Sequence, residues 1–101
     1  MGRETVQSGH AHLLRELNEE RAAALARIAR RLDTLLTGLR ELRTQAEQTG
    51  GEGQAELCAR FDIQRGQALK YRWYLEVQRE SIGIRSHRLL DELYPVPGAL
   101  P

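Results

Sequence analysis

The sequence contains no proline before Pro95, and its only dense run of glycines lies at Gly50, Gly51 and Gly53. Because proline breaks helices and glycine favours turns, this distribution leaves two long uninterrupted segments joined by one turn. Both segments are rich in Ala, Leu, Arg, Glu and Gln, which lose little free energy on entering a helix. The sequence therefore predicts an all-α fold, a long antiparallel helical hairpin of coiled-coil type.

We predict that the 101 residues form a single domain. Its expected parts are helix 1 at about 8–48, a glycine-rich turn at 49–53, helix 2 at about 54–93 and a proline-containing tail at 94–101. Gly50 is expected to be the left-handed residue that ends the first helix. Pro95 is expected to end the second, because the residue before a proline is pushed out of the α region.

Apolar residues recur at alternating steps of three and four along both helices, which is the spacing of a coiled-coil seam. The predicted apolar pairs across the hairpin are Ala46 with Leu57, Leu42 with Phe61, Leu35 with Ala68, Leu32 with Tyr71 and Ile28 with Leu75. Toward the open end the same register opposes Arg21 to Ile82 and Asn18 to Arg85. Polar seam residues either fix the register or mark an end that opens for a partner, and both interpretations stay open.

Helix 2 carries a second apolar stripe roughly opposite its seam, consisting of Ile63, Trp73, Val77 and Ile84. A helix that is apolar on two faces is buried on two faces. We therefore expect two hairpins to pair as a homodimeric four-helix bundle, or a different protein to fill the stripe. Gly66 would allow close approach of the partner helix, Arg72 and Arg79 would flank the interface, and the tail could dock as a strap.

Arg65, Arg72 and Arg79 recur every seven residues along one flank of helix 2. With Arg85 they form a candidate anion-contacting ridge, so a small regulatory nucleic-acid-binding protein is the alternative function. The chain carries a formal net charge of only +1 and no recognised nucleic-acid-reading motif. The commoner explanation of such a column is a solvated flank whose arginines pair with acids such as Glu76.

The hairpin register brings His10, His12 and His87 to the open end, near Asp91 and Glu16. A further alternative is therefore a bundle that holds a metal or small ligand there. The sequence lacks an HExxH motif or a Glu-x-x-His pair, so surface histidines, with His87 pairing to Asp91, are the expected case.

No catalytic arrangement is found, because the lone Cys58 has no histidine opposite it and no phosphate-binding loop follows a strand. We expect a non-enzymatic interaction or scaffold module without a cofactor. A single cysteine, no apolar segment long enough for a membrane span and no signal-type N-terminus lead us to expect a cytoplasmic protein.

Overall fold

The computed structural model describes residues 2–101, with side chains described from residue 8 onward. All regular secondary structure in this range is helical, comprising α1 at Gly2–Gln48, α2 at Gly51–Ser81 and α3 at Arg88–Leu93. The two long helices pack against each other, and the molecule measures 76 × 22 × 15 Å. The predicted all-α helical hairpin is confirmed.

The glycine turn is tight, and one of its glycines adopts a left-handed backbone conformation that other residues disfavour. Gly51 has a φ of +67°, while Gly50 is extended at φ −110° and ψ 174° and caps the start of α2. The left-handed residue is thus Gly51 and not Gly50. The Ala46 carbonyl at the end of α1 accepts from Gln54 Nε2 at 3.0 Å and from the Thr49 N–H at 3.4 Å.

The core follows the predicted seam of both helices. Its buried members are Leu32, Leu35, Leu36, Leu39, Leu42, Phe61, Ala68, Leu75 and Leu90, and Ile28, Leu57 and Tyr71 pack against them partly buried. The Arg43 guanidinium lies 5.8 Å from the centre of the Phe61 ring, and Gln64 Nε2 donates to the Leu35 carbonyl at 3.1 Å. These contacts between α1 and α2 agree with the predicted alignment to within one helical turn.

The second helix ends twelve residues earlier than expected, at Ser81 instead of about residue 93. Gly83 has a φ of +90°, the Gly83 N–H donates to the Glu80 carbonyl, and the Ile84 N–H donates to the Arg79 carbonyl. This pair of hydrogen bonds around a left-handed glycine is a Schellman motif, which ends helices. The prediction of a continuous helix to residue 93 is therefore wrong, and Gly83 is its terminator.

After this cap the chain turns back along the hairpin. We call residues 88–101 the return segment. Leu90 is buried against the core, while Tyr94, Val96 and Leu100 pack onto it partly buried. The segment fills one of the two grooves between α1 and α2 and runs antiparallel to α2 toward the glycine turn.

Because α2 ends at Ser81, the N-terminal part of α1 projects beyond the hairpin. We call residues 8–23 the arm. Every described side chain in the arm is exposed, including Leu13, Leu14 and Leu17. The predicted pairs of Arg21 with Ile82 and Asn18 with Arg85 are not formed, since residues 82–87 have left the helical path.

Candidate functional site

The outer face of α2 carries a row of exposed apolar side chains. Ile63 is 67% exposed and Trp73 is 56% exposed, although both are large and apolar. Leu69 and Val77 are also exposed, so we define the outer stripe as Ile63, Leu69, Trp73 and Val77. At 100° per residue, Trp73 and Val77 lie roughly opposite Phe61, Ala68 and Leu75 on the helix, and Ile63 and Leu69 lie on either side of them. Isolated surface apolar residues are common, but a contiguous row on one helix face marks an interaction surface.

Two residues predicted for this surface have different outcomes. Gly66 does lie on the outer face, and a Cβ added there would meet no heavy atom within 4 Å, so it leaves room for a neighbouring helix. Ile84 lies beyond the end of α2, in the connection to α3, so it is not part of the outer stripe. Leu69 belongs to the stripe in its place. The signal for Leu69 was its spacing of four residues from Trp73.

The three arginines spaced seven apart, which we call the arginine column, all contact the C-terminal part of the same chain. Arg65 Nε donates to the Pro97 carbonyl at 2.6 Å. Arg72 forms an ion pair with Asp91 and a longer one, at 3.9 Å, with Glu76. Arg79 donates to the Ser86 carbonyl at 3.1 Å. Arg65 and Arg72 therefore hold the return segment, while Arg79 holds the connection that precedes it.

This arrangement gives the arginine column a structural role that the sequence did not indicate. The predicted pair of Arg72 with Glu76 is present, but Asp91 is a second partner that comes from the return segment. Arg72 and Arg79 are half-buried, and their Nε atoms are buried without a hydrogen-bond partner. Contact of these arginines with an external anion would require the return segment to move. Arg85, by contrast, is exposed in the connection before α3.

The proline-containing tail docks on the hairpin itself. Pro95, Val96 and Pro97 border a cleft whose opposite wall contains Leu36 and Leu39. Leu36 lies on the flank of α1 that a two-helix seam would leave uncovered, and it is 6% exposed. The tail, which we expected to dock as a strap, thus docks on the hairpin of its own chain. No pattern in residues 94–101 predicted the surface that it covers.

The three histidines do not converge at the open end. His12 Nε2 lies 3.0 Å from Glu16 Oε1 on the arm, while His87 Nε2 lies 2.8 Å from Glu80 Oε1 at the end of α2. The predicted His87–Asp91 pair is not formed, because Asp91 pairs with Arg72. Among the side chains described from residue 8 onward, no group of three His, Cys, Asp or Glu residues is placed to hold a metal ion.

Surface depressions offer little for a small ligand. A depression of about 570 Å³ is an open groove lined by polar side chains such as Thr34, Gln64 and Gln67. An apolar depression of about 300 Å³ lies at the open end, between Leu25 and Ala29 of α1 and Leu93 of α3. This volume is at the lower limit for ligand pockets, which also enclose most of the ligand.

Comparison with protein-family models, with curated proteins and with solved structures finds no match for this chain. Within residues 2–101, no helix has both the length and the apolar character that crossing a membrane requires. Function is therefore inferred from the surfaces described above.

Proposed function

We propose that this protein is a non-enzymatic interaction module that pairs with a second copy of itself through the outer stripe of α2. The single observation that supports this most strongly is the exposure of Trp73 together with Ile63, Leu69 and Val77 on one helix face. Aromatic side chains contribute most of the binding energy of many interfaces, and burial of a Trp side chain is among the largest single contributions.

The surface area of the chain supports pairing. The accessible surface is 7551 Å² for a mass of 11.5 kDa. A compact monomer of that mass exposes about 5,800 Å². The excess is larger than the roughly 800 Å² that each partner contributes to a stable interface of standard size. The hairpin therefore exposes enough surface to form an interface of standard size without any rearrangement.

Charge along the stripe favours an antiparallel arrangement of the two α2 helices. Arg60 precedes the stripe and Glu80 follows it, and both are exposed. In an antiparallel pair, Arg60 of one chain approaches Glu80 of the other, whereas a parallel pair brings like charges together. An antiparallel register with Gly66 against Val77 of the second chain also brings the Lys70 stem to its Trp73 and leaves Arg60 within about one helical turn of its Glu80. The product is an antiparallel four-helix bundle.

The lone Cys58 is a free cysteine, as is usual in a reducing compartment, so we place the bundle in the cytoplasm. There it would form part of a larger assembly. Nucleic-acid binding through the arginine column is not favoured, because the return segment and the connection before it occupy those arginines.

Light scattering during size-exclusion chromatography tests the proposal. Wild type should have twice the monomer mass of 11.5 kDa. Trp73→Glu should have the monomer mass, because a charge in the centre of an apolar interface is left buried and unpaired. Gln45→Glu adds the same charge to the outer surface of α1 and should remain dimeric. A stable dimer has a Kd well below about 100 μM. A wild type that is still monomeric at that protein concentration would refute self-pairing.

A further inference from the structure

The exposed apolar side chains outside the outer stripe occur in two places. One group lies on the arm, where Leu13, Leu14 and Leu17 have no partner. The other lies at residues 82–93, where the large exposed apolar residues are Ile82, Ile84, Leu89 and Leu93. Both groups are exposed because the chain reverses direction after Ser81. If it did not, Ile82, Leu89 and Leu93 would face the arm, while Ile84 would lie on the outer face of α2.

The register of the hairpin determines which residues would meet. The predicted register, which the contacts between α1 and α2 match to within one helical turn, would place Leu14 by Leu89 if α2 continued as a helix. Ile82 and Leu93 would lie on the same face of that helix as Leu89. The arm would then have a partner helix along its apolar stripe. An unpartnered arm is only marginally stable as a helix, so this contact would stabilise it.

Nothing in residues 82–93 forbids the helical path, since the first proline is Pro95 and Gly83 is the only glycine. In the observed position, Gly83 adopts a φ of +90° and allows the reversal. The return segment then gains the burial of Leu90 and the contacts with Arg65 and Arg72, and Ser86 in the preceding connection gains the contact with Arg79.

Each position leaves some apolar surface in water. Folding back covers Leu36 on the flank of α1 but leaves the arm bare, whereas continuing straight covers the arm and uncovers Leu36. Two alternative packings of one segment are the condition for a two-state element.

We propose that residues 82–93 exchange between the folded-back position and a helix continuous with α2 that docks on the arm of the same chain. The folded-back position presents the arm to solvent, and the straight position presents the arginine column. A partner that binds either surface shifts the population accordingly. The exchange uses contacts within one chain, and it does not depend on pairing through the outer stripe.

Two cysteine pairs report the two positions in a Cys58→Ala background. Leu14→Cys with Leu89→Cys can form a disulfide within one chain only in the straight position. Arg40→Cys with Pro97→Cys reports the folded-back position, because both residues border the same cleft. Disulfide formation is followed on non-reducing gels, where a bond within one chain leaves the monomer mass unchanged.

Gly83→Ala should shift the exchange toward the straight position, because alanine is disfavoured at a positive φ. We expect the Leu14/Leu89 disulfide to form about tenfold faster and the Arg40/Pro97 disulfide correspondingly slower. Gln45→Ala, on the outer surface of the part of α1 that both positions share, should alter neither rate. Arg72→Gln should act in the same direction as Gly83→Ala by releasing Asp91.

A second measurement does not depend on disulfide geometry. Spin labels at Ala11→Cys and Glu92→Cys are adjacent in the straight position and roughly 25 Å further apart in the folded-back one. Gly83→Ala should increase the short-distance population. An unchanged long distance in both Gly83→Ala and Arg72→Gln would overturn the proposal. So would a Leu14/Leu89 disulfide that always joins two chains, since the arm would then bind a second copy.

Discussion

Phe61 and Ile63 are two residues apart on α2 and have opposite environments. Phe61 is fully buried in the core beneath Arg43, and Ile63 is one of the most exposed apolar residues. The 100° rotation between successive helix positions produces this contrast, which hydrophobicity alone cannot distinguish. At the residue scale, the face on which a side chain lies determines what a substitution does.

Phe61→Ala should lower the free energy of unfolding by about 3–5 kcal/mol, because it removes buried surface and leaves a cavity. Ile63→Ala should change it by less than about 0.5 kcal/mol. Both are measured by urea denaturation followed by circular dichroism in the Trp73→Glu chain, so that pairing does not contribute. Similar effects of the two substitutions would contradict the assignment of faces.

Gly38 and Gly66 provide a second matched pair. A Cβ at Gly38 would collide with the Gln64 side-chain amide, which hydrogen-bonds the Leu35 carbonyl, whereas Gly66 has open space. Alanine in place of a helical glycine stabilises by about 1 kcal/mol, so Gly66→Ala should stabilise the Trp73→Glu chain by that amount. Gly38→Ala should be nearly neutral, because losing the hydrogen bond costs about 0.5–1.5 kcal/mol. Equal stabilisation by both substitutions in urea denaturation would show that Gln64 does not need the space at Gly38.

At the scale of elements, α3 is stabilised by its contacts with the hairpin more than by its own helical hydrogen bonds. Six residues are too few for a stable isolated helix, so the hairpin must hold α3 in place. Leu90 supplies the buried anchor, while the arginine column supplies polar contacts at Asp91, Ser86 and Pro97. The return segment is therefore expected to open locally before the hairpin unfolds.

Leu90→Ala should release the return segment without unfolding the hairpin. Hydrogen exchange followed by NMR should show loss of protection at the amides of residues 91–94, while amides of the core part of α1 stay protected. Leu89→Ala, a change at the exposed neighbour, should preserve protection in both regions. Loss of protection throughout α1 and α2 in Leu90→Ala would mean that the segment and hairpin unfold as one unit.

At the scale of the whole molecule, elongation separates two surfaces that could bind partners. The radius of gyration over Cα atoms is 20.0 Å, compared with about 13 Å for a compact domain of this length. The outer stripe lies alongside the rod, whereas the arm extends from one end. A dimer formed through one surface therefore differs in length from a dimer formed through the other.

Small-angle X-ray scattering distinguishes the two geometries. Pairing through the outer stripe should double the mass and raise the radius of gyration by only about 10% relative to Trp73→Glu, because packed helices lie 8–10 Å apart. Pairing through the arms would produce a much longer particle. A large increase in the radius of gyration with doubled mass would exclude the side-by-side bundle.

The amino-acid sequence by itself determined the turn, the seam of the hairpin and most of the exposed outer stripe. These features depend on local periodicity and on residues near in sequence, such as Leu42 and Phe61 on either side of the glycines. Helix propensity and heptad spacing suffice for them, since both act within a few turns.

Only the tertiary structure decided where α2 ends and what the C-terminal residues cover. Gly83 is tolerated inside a helix at a cost of about 1 kcal/mol and is also suited to end one, so local preference leaves the outcome undetermined. The decision comes from contacts between residues distant in sequence, as between Arg65 and Pro97 and between Leu90 and the core. These contacts exist only once the hairpin has formed the groove that the return segment fills.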